Sequence, residues 1–417
     1  MTDQPAQPAQ PAHQAIDSLP VWGVPVAGAV EQMQRCLQRA DYAALMADHH
    51  LGYAVPVGGV IAWADHLSPS GVGFDISCGN KAVLLDADAG EVRRHIGTIM
   101  DDLWRTLSFG IGRKNPEPVE HELFDDDPAW DLPEAAEHRD MARAQLGTIG
   151  SGNHYVDLFA DEADRVWVGV HFGSRGLGHK IASHFIRAGG GRDGIHVDPV
   201  LLAAGSDLGQ RYLACMQLAG RYAYAGRDWV CARVARLLGA KILDEVHNHH
   251  NFAWRENHFG RDLWVVRKGA TPAFPGQRGF IGGSMGDISV IVEGVDSEES
   301  RLTLRSTVHG AGRVMSRRRA AGKRRRRRGR VEQITQGEVS REMMQEWLQR
   351  TGVELRGAGT DESPHCYKRI EKVLGFHAAS IRILHTLTSA SPWPPPTNST
   401  PSATEFQSGC RTAGSWT

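Results

Sequence analysis

The sequence lacks the marks of several common protein classes. Its six cysteines are scattered, with no close pair and no short repeated spacing, which argues against a disulfide framework and favours a reducing compartment. It has no apolar run of about eighteen residues, so we expect no membrane span. The stretch "MTDQPAQPAQPAHQ" has neither an apolar core nor a basic lead-in, unlike a secretory signal. These absences predict a cytoplasmic protein with no membrane partner.

A strong net charge is also missing. The formal net charge is -1, so a nucleic-acid partner would have to be held by local basic patches rather than by the field of the whole protein. One such patch is the run of six consecutive cations from Lys323 to Arg328. A run of this kind cannot pack in a core. We expect it either to contact a polyanion in a salt-sensitive way or to lie in a solvated loop with compensating charge.

The composition is 41% hydrophobic and 23% charged, which is typical of a folded protein. We divide the chain into a flexible lead over 1–14, a main region over 15–388 and a disordered, Pro/Ser/Thr-rich tail over 389–417. Strands are predicted for "RVWVGVHFG", "DLWVVRKGAT" and "ISVIVEG". Helices are predicted over 28–48, 89–109, 133–147, 205–239, 341–350 and the stretch "HCYKRIEKVLGFHAASI".

Side chains that can bind metals lie in glycine-rich stretches. Asp75 and Cys78 are three residues apart in "GVGFDISCGN", and four histidines follow probable strands or lie in polar turns, namely His154, His171, His250 and His309. A thiolate, a carboxylate and imidazoles suit Mn, Fe, Co or Zn, and one thiolate could bridge two ions. The spacing alone leaves alternatives open, since each histidine could be a surface or core residue and Cys78 a small buried hydrophobe.

Three turns suit a bound anion. The segments "GSRGLG", "GGSMG" and "HGAGR" offer backbone N–H groups without obstruction by a Cβ atom. Lys268 and Arg313 could add positive charge for a phosphate. Glycine-rich turns are common, so each turn is a weak signal by itself.

Seven separated segments together resemble one family. These segments, "GVGFDISCG", "GTIGSGNHYVDL", "HFGSRGLG", "HHNFAWRE", "RKGATPAFPGQRGFIGGSMG", "HGAGRVMSR" and "DESPHCYKRIEKVL", resemble in this order the motifs of the RtcB-type RNA-splicing ligases. The resemblance implies an α+β fold, with one RtcB-like catalytic domain of central β-sheets and surrounding helices. It also implies a ligase that depends on GTP and two Mn²⁺ ions. Such a ligase joins an RNA end with a 2′,3′-cyclic phosphate or a 3′-phosphate to a 5′-hydroxyl end, in RNA splicing or repair, in some cases with a helper protein.

The resemblance also implies roles for individual residues. His309 would take GMP from GTP and pass it to the RNA 3′-phosphate, giving an RNA 3′-pp-5′-G intermediate that the 5′-hydroxyl attacks. Cys78 would be shared by both ions. The full set of implied metal ligands is Asp75, Cys78, His154, His171 and His250. The implied nucleotide contacts are Asn153, Asp157, Ser284, Gly310, Ala311, Gly312, Arg313 and Tyr367.

The chain departs from the family pattern in three places. Asp157 stands where the family usually has Glu, and Phe172 stands where a small polar residue commonly follows the ligand histidine. The family ends in Lys-Gly, whose lysine reaches the nucleotide, whereas no lysine follows Lys372 here. The altered C-terminus leaves two alternatives to a ligase: a metal-dependent phosphoesterase, and a catalytically weak RNA-binding protein, each without guanylation.

Overall fold

The computed structural model of the chain describes residues 12–327 and 330–390. It confirms the predicted α+β class, with mixed sheets and helices. The strands are β1 (His13–Ile16), β2 (Leu19–Trp22), β3 (Tyr42–His50), β4 (Val57–Trp63), β5 (His66–Leu67), β6 (Gly79–Asp88), β7 (Tyr155–Ala160), β8 (Arg165–Phe172), β9 (Leu202–Ala203), β10 (Ile242–His249), β11 (Asn251–His258), β12 (Arg261–Lys268), β13 (Ala270–Pro272), β14 (Arg278–Ile281), β15 (Ser289–Gly294), β16 (Ser306–Val308), β17 (Arg324–Arg327), β18 (Arg330–Gln333) and β19 (Ile381–Ser389).

The helices range from single turns to one helix of 31 residues. They are α1 (Ala27–Leu37), α2 (Pro69–Val72), α3 (Ala89–Thr106), α4 (Leu123–Asp126), α5 (Pro133–Ala136), α6 (Arg139–Gln145), α7 (Arg175–Ala188), α8 (Asp207–Leu237), α9 (Glu298–Leu302), α10 (Arg317–Ala321), α11 (Arg341–Thr351) and α12 (Ile370–Gly375). Short 3₁₀ helices span Pro128–Asp131, Thr360–Glu362 and Pro364–Cys366. In the described part of the chain, no helix is both long enough and apolar enough to cross a membrane.

Two large sheets form the framework. One has six strands in the order β1-β2-β3-β4-β12-β11, and the other has seven in the order β10-β6-β8-β7-β19-β15-β14. Strand β10 of the second sheet ends at His249 and β11 of the first begins at Asn251. His250 therefore lies at the point where the chain passes from one sheet to the other. This passage brings the edges of both sheets to one place.

The core lies on the faces of the central strands. All residues of β8 after Arg165 are buried, which explains why this strand reads as a nearly continuous apolar run rather than an alternating one. Helix α8 packs against β6 and β8. The Ser206 hydroxyl caps α8 by accepting a hydrogen bond from the Gly209 N–H, at 3.1 Å. Both elements match the sequence predictions, because the 3.6-residue apolar period of α8 and the unbroken run of β8 are strong local signals.

The helix predicted over 28–48 is wrong in its second half. Helix α1 ends at Leu37, and Tyr42–His50 forms strand β3. Strand β3 pairs antiparallel with β4, and residues 43–49 are all buried. The Ala, Leu and Met residues of this segment favour a helix locally, but pairing and burial in the sheet outweigh that preference.

Two other predicted helices are interrupted. The helix over 133–147 is split into α5 and α6. The stretch "HCYKRIEKVLGFHAASI" contains α12 as its one α-helix and the end of a 3₁₀ helix, because its first part bonds to the segment 310–313 instead. Arg313 and Tyr367 form an isolated antiparallel bridge, and the Lys368 N–H donates to the Gly312 carbonyl at 2.9 Å.

The ends of the chain bear on the predicted boundaries only in part. Strand β1 begins at His13, two residues inside the predicted flexible lead, and β19 ends at Ser389, one residue into the predicted tail. Residues 1–11 of the lead and the tail from residue 391 lie outside the described residues. The loop predicted as one alternative for the run Lys323 to Arg328 is wrong, since Arg324–Arg327 form β17, which pairs with β18. The predicted polyanion contact depends on the side chains of residues 324–328, which lie outside the described part of the structure, so it stays a prediction.

Candidate active site

Four chain segments converge at one end of the adjacent strands β10, β6, β8 and β7 of the seven-stranded sheet. Cys78 directly precedes β6, whose first residue, Gly79, pairs with Phe172 of β8 and with His249 of β10. His171 of β8 pairs on its other side with Tyr155, the first residue of β7. This register places Cys78, His171, His250 and the residue before β7, His154, at the same edge, although they are far apart in sequence.

The predicted ligand side chains lie together there. The Cys78 Sγ atom is 3.1 Å from His171 Nε2 and 3.7 Å from His154 Nε2. His154 Nε2 is also 3.0 Å from Asp75 Oδ2, and the rings of His171 and His250 have centroids 5.0 Å apart. We call Asp75, Cys78, His154, His171 and His250 the ligand cluster. Ligand atoms of Cys78, His154 and His171 all lie within 4.8 Å of one another, a grouping that could hold a metal ion.

The backbone of the ligand cluster is fixed by neighbouring strands. Ser77 has a left-handed φ of 59°, and its N–H donates to the Asn251 carbonyl at 2.7 Å. The His250 N–H donates to the Cys78 carbonyl at 2.9 Å. Opposite, a Cβ atom on Gly173 would lie 2.3 Å from Asp75 Oδ1, so only glycine fits beside this carboxylate. The glycines thus allow backbone segments to approach the ligand side chains closely.

A buried arginine supports the same segments from behind. The Arg227 side chain of α8 is fully buried, and its Nη1 donates to the carbonyls of Ser77 at 3.0 Å and Phe172 at 2.6 Å. These residues directly precede Cys78 and directly follow His171. Arg227 also contacts His247 and His249 of β10 through Nε at 2.8 Å and Nη2 at 3.2 Å. One guanidinium therefore links three of the strands that carry the ligand cluster.

The protonation of the ligand cluster suits a cation. Burial lowers the pKa of His171 and of His250 well below the ordinary value, so both imidazoles are neutral and able to ligate. Burial alone would raise the pKa of Asp75, but the interactions with His154, Arg175 and Cys78 together outweigh burial and lower the pKa to about 2. Burial, and then the Asp75 charge, raise the pKa of the Cys78 thiol. A bound cation is the kind of charge that would favour the thiolate instead.

The donor set fits a first-row metal ion. It combines one sulfur, one carboxylate and three imidazoles, a borderline set suited to Mn, Fe, Co or Zn. Among the described residues, Nδ1 of His250 is buried without a hydrogen-bond partner. A buried polar atom without a partner is costly unless a ligand satisfies it.

His309 is held beside this cluster. It follows β16, which pairs with β13 so that Val308 lies opposite Ala270. The His309 ring centroid is 4.8 Å from that of His250. Its Nδ1 is 2.6 Å from Oδ2 of Asp48 on β3, and its backbone N–H donates to the same oxygen at 3.0 Å. With the Nδ1 proton donated to a carboxylate, the lone pair of Nε2 is free for nucleophilic attack.

Sequence reasoning missed Asp48, which lies in the segment predicted to be helical. Its side chain is fully buried, and burial would raise its pKa, but the interactions with His309, together with the charge of Lys368, outweigh burial and lower it. A buried aspartate followed by two histidines in "MADHH" was the available signal. Arg227 was missed as well, because an arginine in an amphipathic helix is ordinarily solvent-exposed.

One cavity of about 1000 Å³ contains every predicted site residue. Besides the ligand cluster and His309, its lining includes all eight predicted nucleotide contacts: Asn153, Asp157, Ser284, Gly310, Ala311, Gly312, Arg313 and Tyr367. Within it, burial raises the pKa of Asp157 to about 6. The Ser284 hydroxyl donates to Asp287 Oδ2 at 2.9 Å.

Lys268 and Arg313, the two cations predicted to bind a phosphate, have hydrogen-bond partners within the protein. Arg313 donates to Tyr367 Oη at 2.8 Å and lies 3.3 Å from Glu362 Oε2. Lys268 is buried and donates to the carbonyls of Tyr53 and Ser70. Burial lowers the pKa of Lys268 to about 8. Both residues line the cavity, but Arg313 already has a carboxylate partner.

Comparison with known proteins agrees with the sequence motifs. The model of the family described as "tRNA-splicing ligase RtcB" matches residues 30–134 and 129–390. The RNA-splicing ligase RtcB of Escherichia coli K12 is 30% identical over 88% of this chain and 94% of the relative. The tRNA-splicing ligase RtcB of Thermococcus kodakarensis is 31% identical over 82% and 84%, and the RNA-splicing ligase RtcB of Mycobacterium tuberculosis is 32% identical over 81% and 92%.

Proposed function

The chain belongs to the RtcB family, and from this premise we propose that it is a GTP-dependent RNA ligase. It joins an RNA end bearing a 3′-phosphate or 2′,3′-cyclic phosphate to a 5′-hydroxyl end. The observation that carries the proposal is the hydrogen bond between His309 and buried Asp48. The centroid of the His309 ring also lies 4.8 Å from that of His250 in the ligand cluster. A histidine prepared as a nucleophile beside potential metal ligands suits nucleotidyl transfer better than simple hydrolysis.

We assign the ligand cluster to two Mn²⁺ ions. Cys78 would be the ligand shared by both ions, and its sulfur lies near both His154 and His171. Asp75 and His154 would complete the protein ligands of one ion, and His171 and His250 those of the other. When bound, the ions would neutralise the charge of the triphosphate and help to align its oxygens.

His309 carries the covalent step. Its Nε2 attacks the α-phosphorus of GTP, the bond from that phosphorus to the β-phosphate oxygen breaks, and pyrophosphate leaves. Asp48 accepts the hydrogen bond from Nδ1 and stabilises the positive charge that develops on the ring. An oxygen of the RNA 3′-phosphate then displaces His309 and takes the GMP. The RNA 5′-hydroxyl finally attacks the activated phosphate, forming the phosphodiester bond and releasing GMP. A cyclic phosphate is first hydrolysed to the 3′-phosphate.

The nucleotide lies along the cavity wall formed by the eight predicted contacts. Asp157 accepts hydrogen bonds from the base when ionised, and the Gly310–Gly312 turn presents N–H groups to phosphate oxygens. Residues 15–388 act as one catalytic domain in this proposal. A helper protein and the cytoplasmic location stay predictions from the sequence.

A guanylation assay tests the proposal. The purified chain is incubated with Mn²⁺ and α-³²P-GTP, and the labelled protein is treated with acid or alkali. We expect a covalent adduct that is acid-labile and alkali-stable, as a phosphoramidate should be, and that disappears in His309→Ala. The control is His95→Ala, which removes an exposed histidine of α3 that does not line the cavity.

Two outcomes would change the interpretation. Metal bound without any adduct would overturn the ligase and favour the phosphoesterase or RNA-binding alternative. An adduct that forms only after a Lys-Gly terminus is grafted onto the chain would instead assign the defect to the altered C-terminus.

A further inference from the structure

An apolar strip lies at one end of the cavity. It combines the C-terminal half of α3, the loop after it and the loop after α11, and we call Met100, Trp104, Phe109, Ile111, Val353 and Leu355 the aromatic rim. Trp104 is 44% exposed and Ile111 is 89% exposed. The nucleotide contacts and the ligand cluster do not include these residues. Large apolar side chains exposed at the edge of a polar site generally indicate a ligand contact.

The indole of Trp104 is held in place before any ligand arrives. It stacks on Phe109 with ring centroids 5.0 Å apart and planes inclined by 20°. Gly357, with a φ of +78°, approaches so closely that a Cβ atom there would lie 2.8 Å from the indole Cζ3. A ring fixed in this way loses little conformational entropy on binding, which favours its use as a stacking surface.

The aromatic rim is tied to the ligand cluster through the backbone. Phe109 and Gly150 form an isolated β-bridge, and the Gly110 N–H donates to the Gly150 carbonyl at 2.6 Å. His154 is four residues from Gly150, a chain distance of at most about 14 Å. An RNA end whose phosphate lies at the ligand cluster therefore has its last bases within reach of Trp104.

The charge at the aromatic rim favours a base over a phosphate. Arg356, a cation that lines the cavity next to Leu355 of the aromatic rim, is paired with Asp101 at 2.6 Å and with Glu354 at 2.5 Å. The volume of about 1000 Å³ reaches the upper end of the range of about 300–1,000 Å³ for pockets that bury one small ligand. This volume is large for a single small ligand.

We infer that Trp104, supported by Phe109, stacks on an unpaired base near the 3′-phosphate end of the substrate RNA. This inference rests on the proposed function for the identity of the substrate, but its test does not need turnover. Stacking on an aromatic face tolerates any base, so the aromatic rim would select single-stranded ends rather than a sequence.

The test measures RNA binding without GTP. Single-stranded RNA with a 5′-fluorescein and a 3′-phosphate is titrated with full-length protein and Mn²⁺, and the Kd is read from fluorescence anisotropy. A second set of RNAs lacks the base at one of the last three positions. We expect Trp104→Ala to weaken binding of the intact RNA about tenfold, within the range for loss of one stacking side chain. Trp104→Phe should restore most of this loss.

The coupling between protein and RNA changes identifies the contact. At one of the three positions, removing the base should weaken binding to the unmodified protein by a similar factor and have no further effect in Trp104→Ala. The matched control is Phe259→Ala, which disrupts another exposed aromatic pair, with Tyr42, outside the cavity. Its Kd should not change.

Several results would overturn the inference. One is an unchanged Kd in Trp104→Ala. Another is that, at all three positions, the loss of affinity from base removal and the loss from Trp104→Ala multiply as independent effects. The third is that the unmodified protein does not bind the RNA. An unchanged Kd would leave the aromatic rim to a protein partner. The guanylation assay separates the two proposals: coupling without an adduct refutes the ligase alone, and an adduct without coupling refutes the stacking contact alone.

Discussion

The ligand cluster and the aromatic rim line the same cavity but are built in opposite ways. The ligand cluster is polar and largely buried, and backbone hydrogen bonds between strands, together with the buried Arg227, hold its segments. The aromatic rim is apolar and partly exposed, and a ring contact and loop backbone hold it. Damage to the ligand cluster should therefore spread to every chemical step, whereas damage to the aromatic rim should be confined to one contact. The predictions below test this difference, from the largest effect to the smallest.

Removal of the central sulfur should have the largest effect. In Cys78→Ala we expect bound Mn²⁺ to be lost and the guanylation rate to fall by about 10³-fold or more, since residues that act as a unit fail together. Metal content by mass spectrometry and the adduct assay measure the two losses. The control is Cys215→Ala, which removes a buried cysteine of α8 that does not line the cavity. Full metal content in Cys78→Ala would mean that the ligand cluster does not bind metal through this residue.

A change beside the nucleophile should slow guanylation without loss of bound metal. In Asp48→Asn, the amide can donate to Nδ1 of His309, so the proton moves to Nε2 and the nucleophilic lone pair is lost. We expect guanylation to slow by about 10²-fold or more, as when a catalytic histidine is held in the wrong tautomer. Metal content should stay unchanged. Asp41→Asn, at an aspartate paired with Arg261 just before β3, is the matched control. Equal guanylation rates in both variants would remove Asp48 from the mechanism.

Arg227 should affect metal affinity only by holding the segments that carry the ligand cluster in position. Arg227→Lys keeps the charge but cannot reach the carbonyls of Ser77 and Phe172 and the two histidines at once. We expect Mn²⁺ affinity to fall about 10- to 100-fold, the usual range when the support of a ligand is lost. Electron paramagnetic resonance titration measures the Kd, with Arg233→Lys, exposed on the same helix, as control. A loss of thermal stability without a change in Kd would make Arg227 purely structural.

The proposed nucleotide contact of Asp157 should show a pH dependence. Burial raises the pKa of Asp157 to about 6, so this carboxyl holds its proton below that pH and is ionised above it. If Asp157 accepts hydrogen bonds from the base, GTP affinity should rise up to about tenfold between pH 5 and pH 7. The part of this rise in GTP affinity that is absent in Asp157→Asn is due to ionisation of the carboxyl. Identical pH profiles in both proteins would exclude the contact, while Asp157→Glu should bind GTP a few-fold more tightly.

The sequence predicted best where the local pattern and the tertiary environment agree. The predictions of α8 and β8 are correct, since the apolar period of the one and the apolar run of the other are visible in the local sequence. Strand β3 was mistaken for a helix, because only pairing with β4 makes its Ala- and Leu-rich segment extended. That error also concealed Asp48, whose partner is 261 positions away.

The ligand cluster was named by resemblance to a family, not by spacing. Asp75, Cys78 and the three histidines carry no short metal-binding spacing, and chemistry alone left them as one interpretation among several. Their proximity follows from strand register, with Gly79 opposite both Phe172 and His249. Register depends on which strands pair, and that is a property of the whole sheet.

The sequence by itself determined which side chains are available: a thiol, carboxylates and many imidazoles in glycine-rich segments, and one histidine in a turn suited to phosphate. The tertiary structure decided which of these side chains lie together and that Asp48 accepts the hydrogen bond of His309. It also decided that Trp104 lies at the edge of the same cavity. The physical reason is range. Helical and apolar periodicity act over a few residues, whereas hydrogen-bonded register and burial join positions that are hundreds of residues apart.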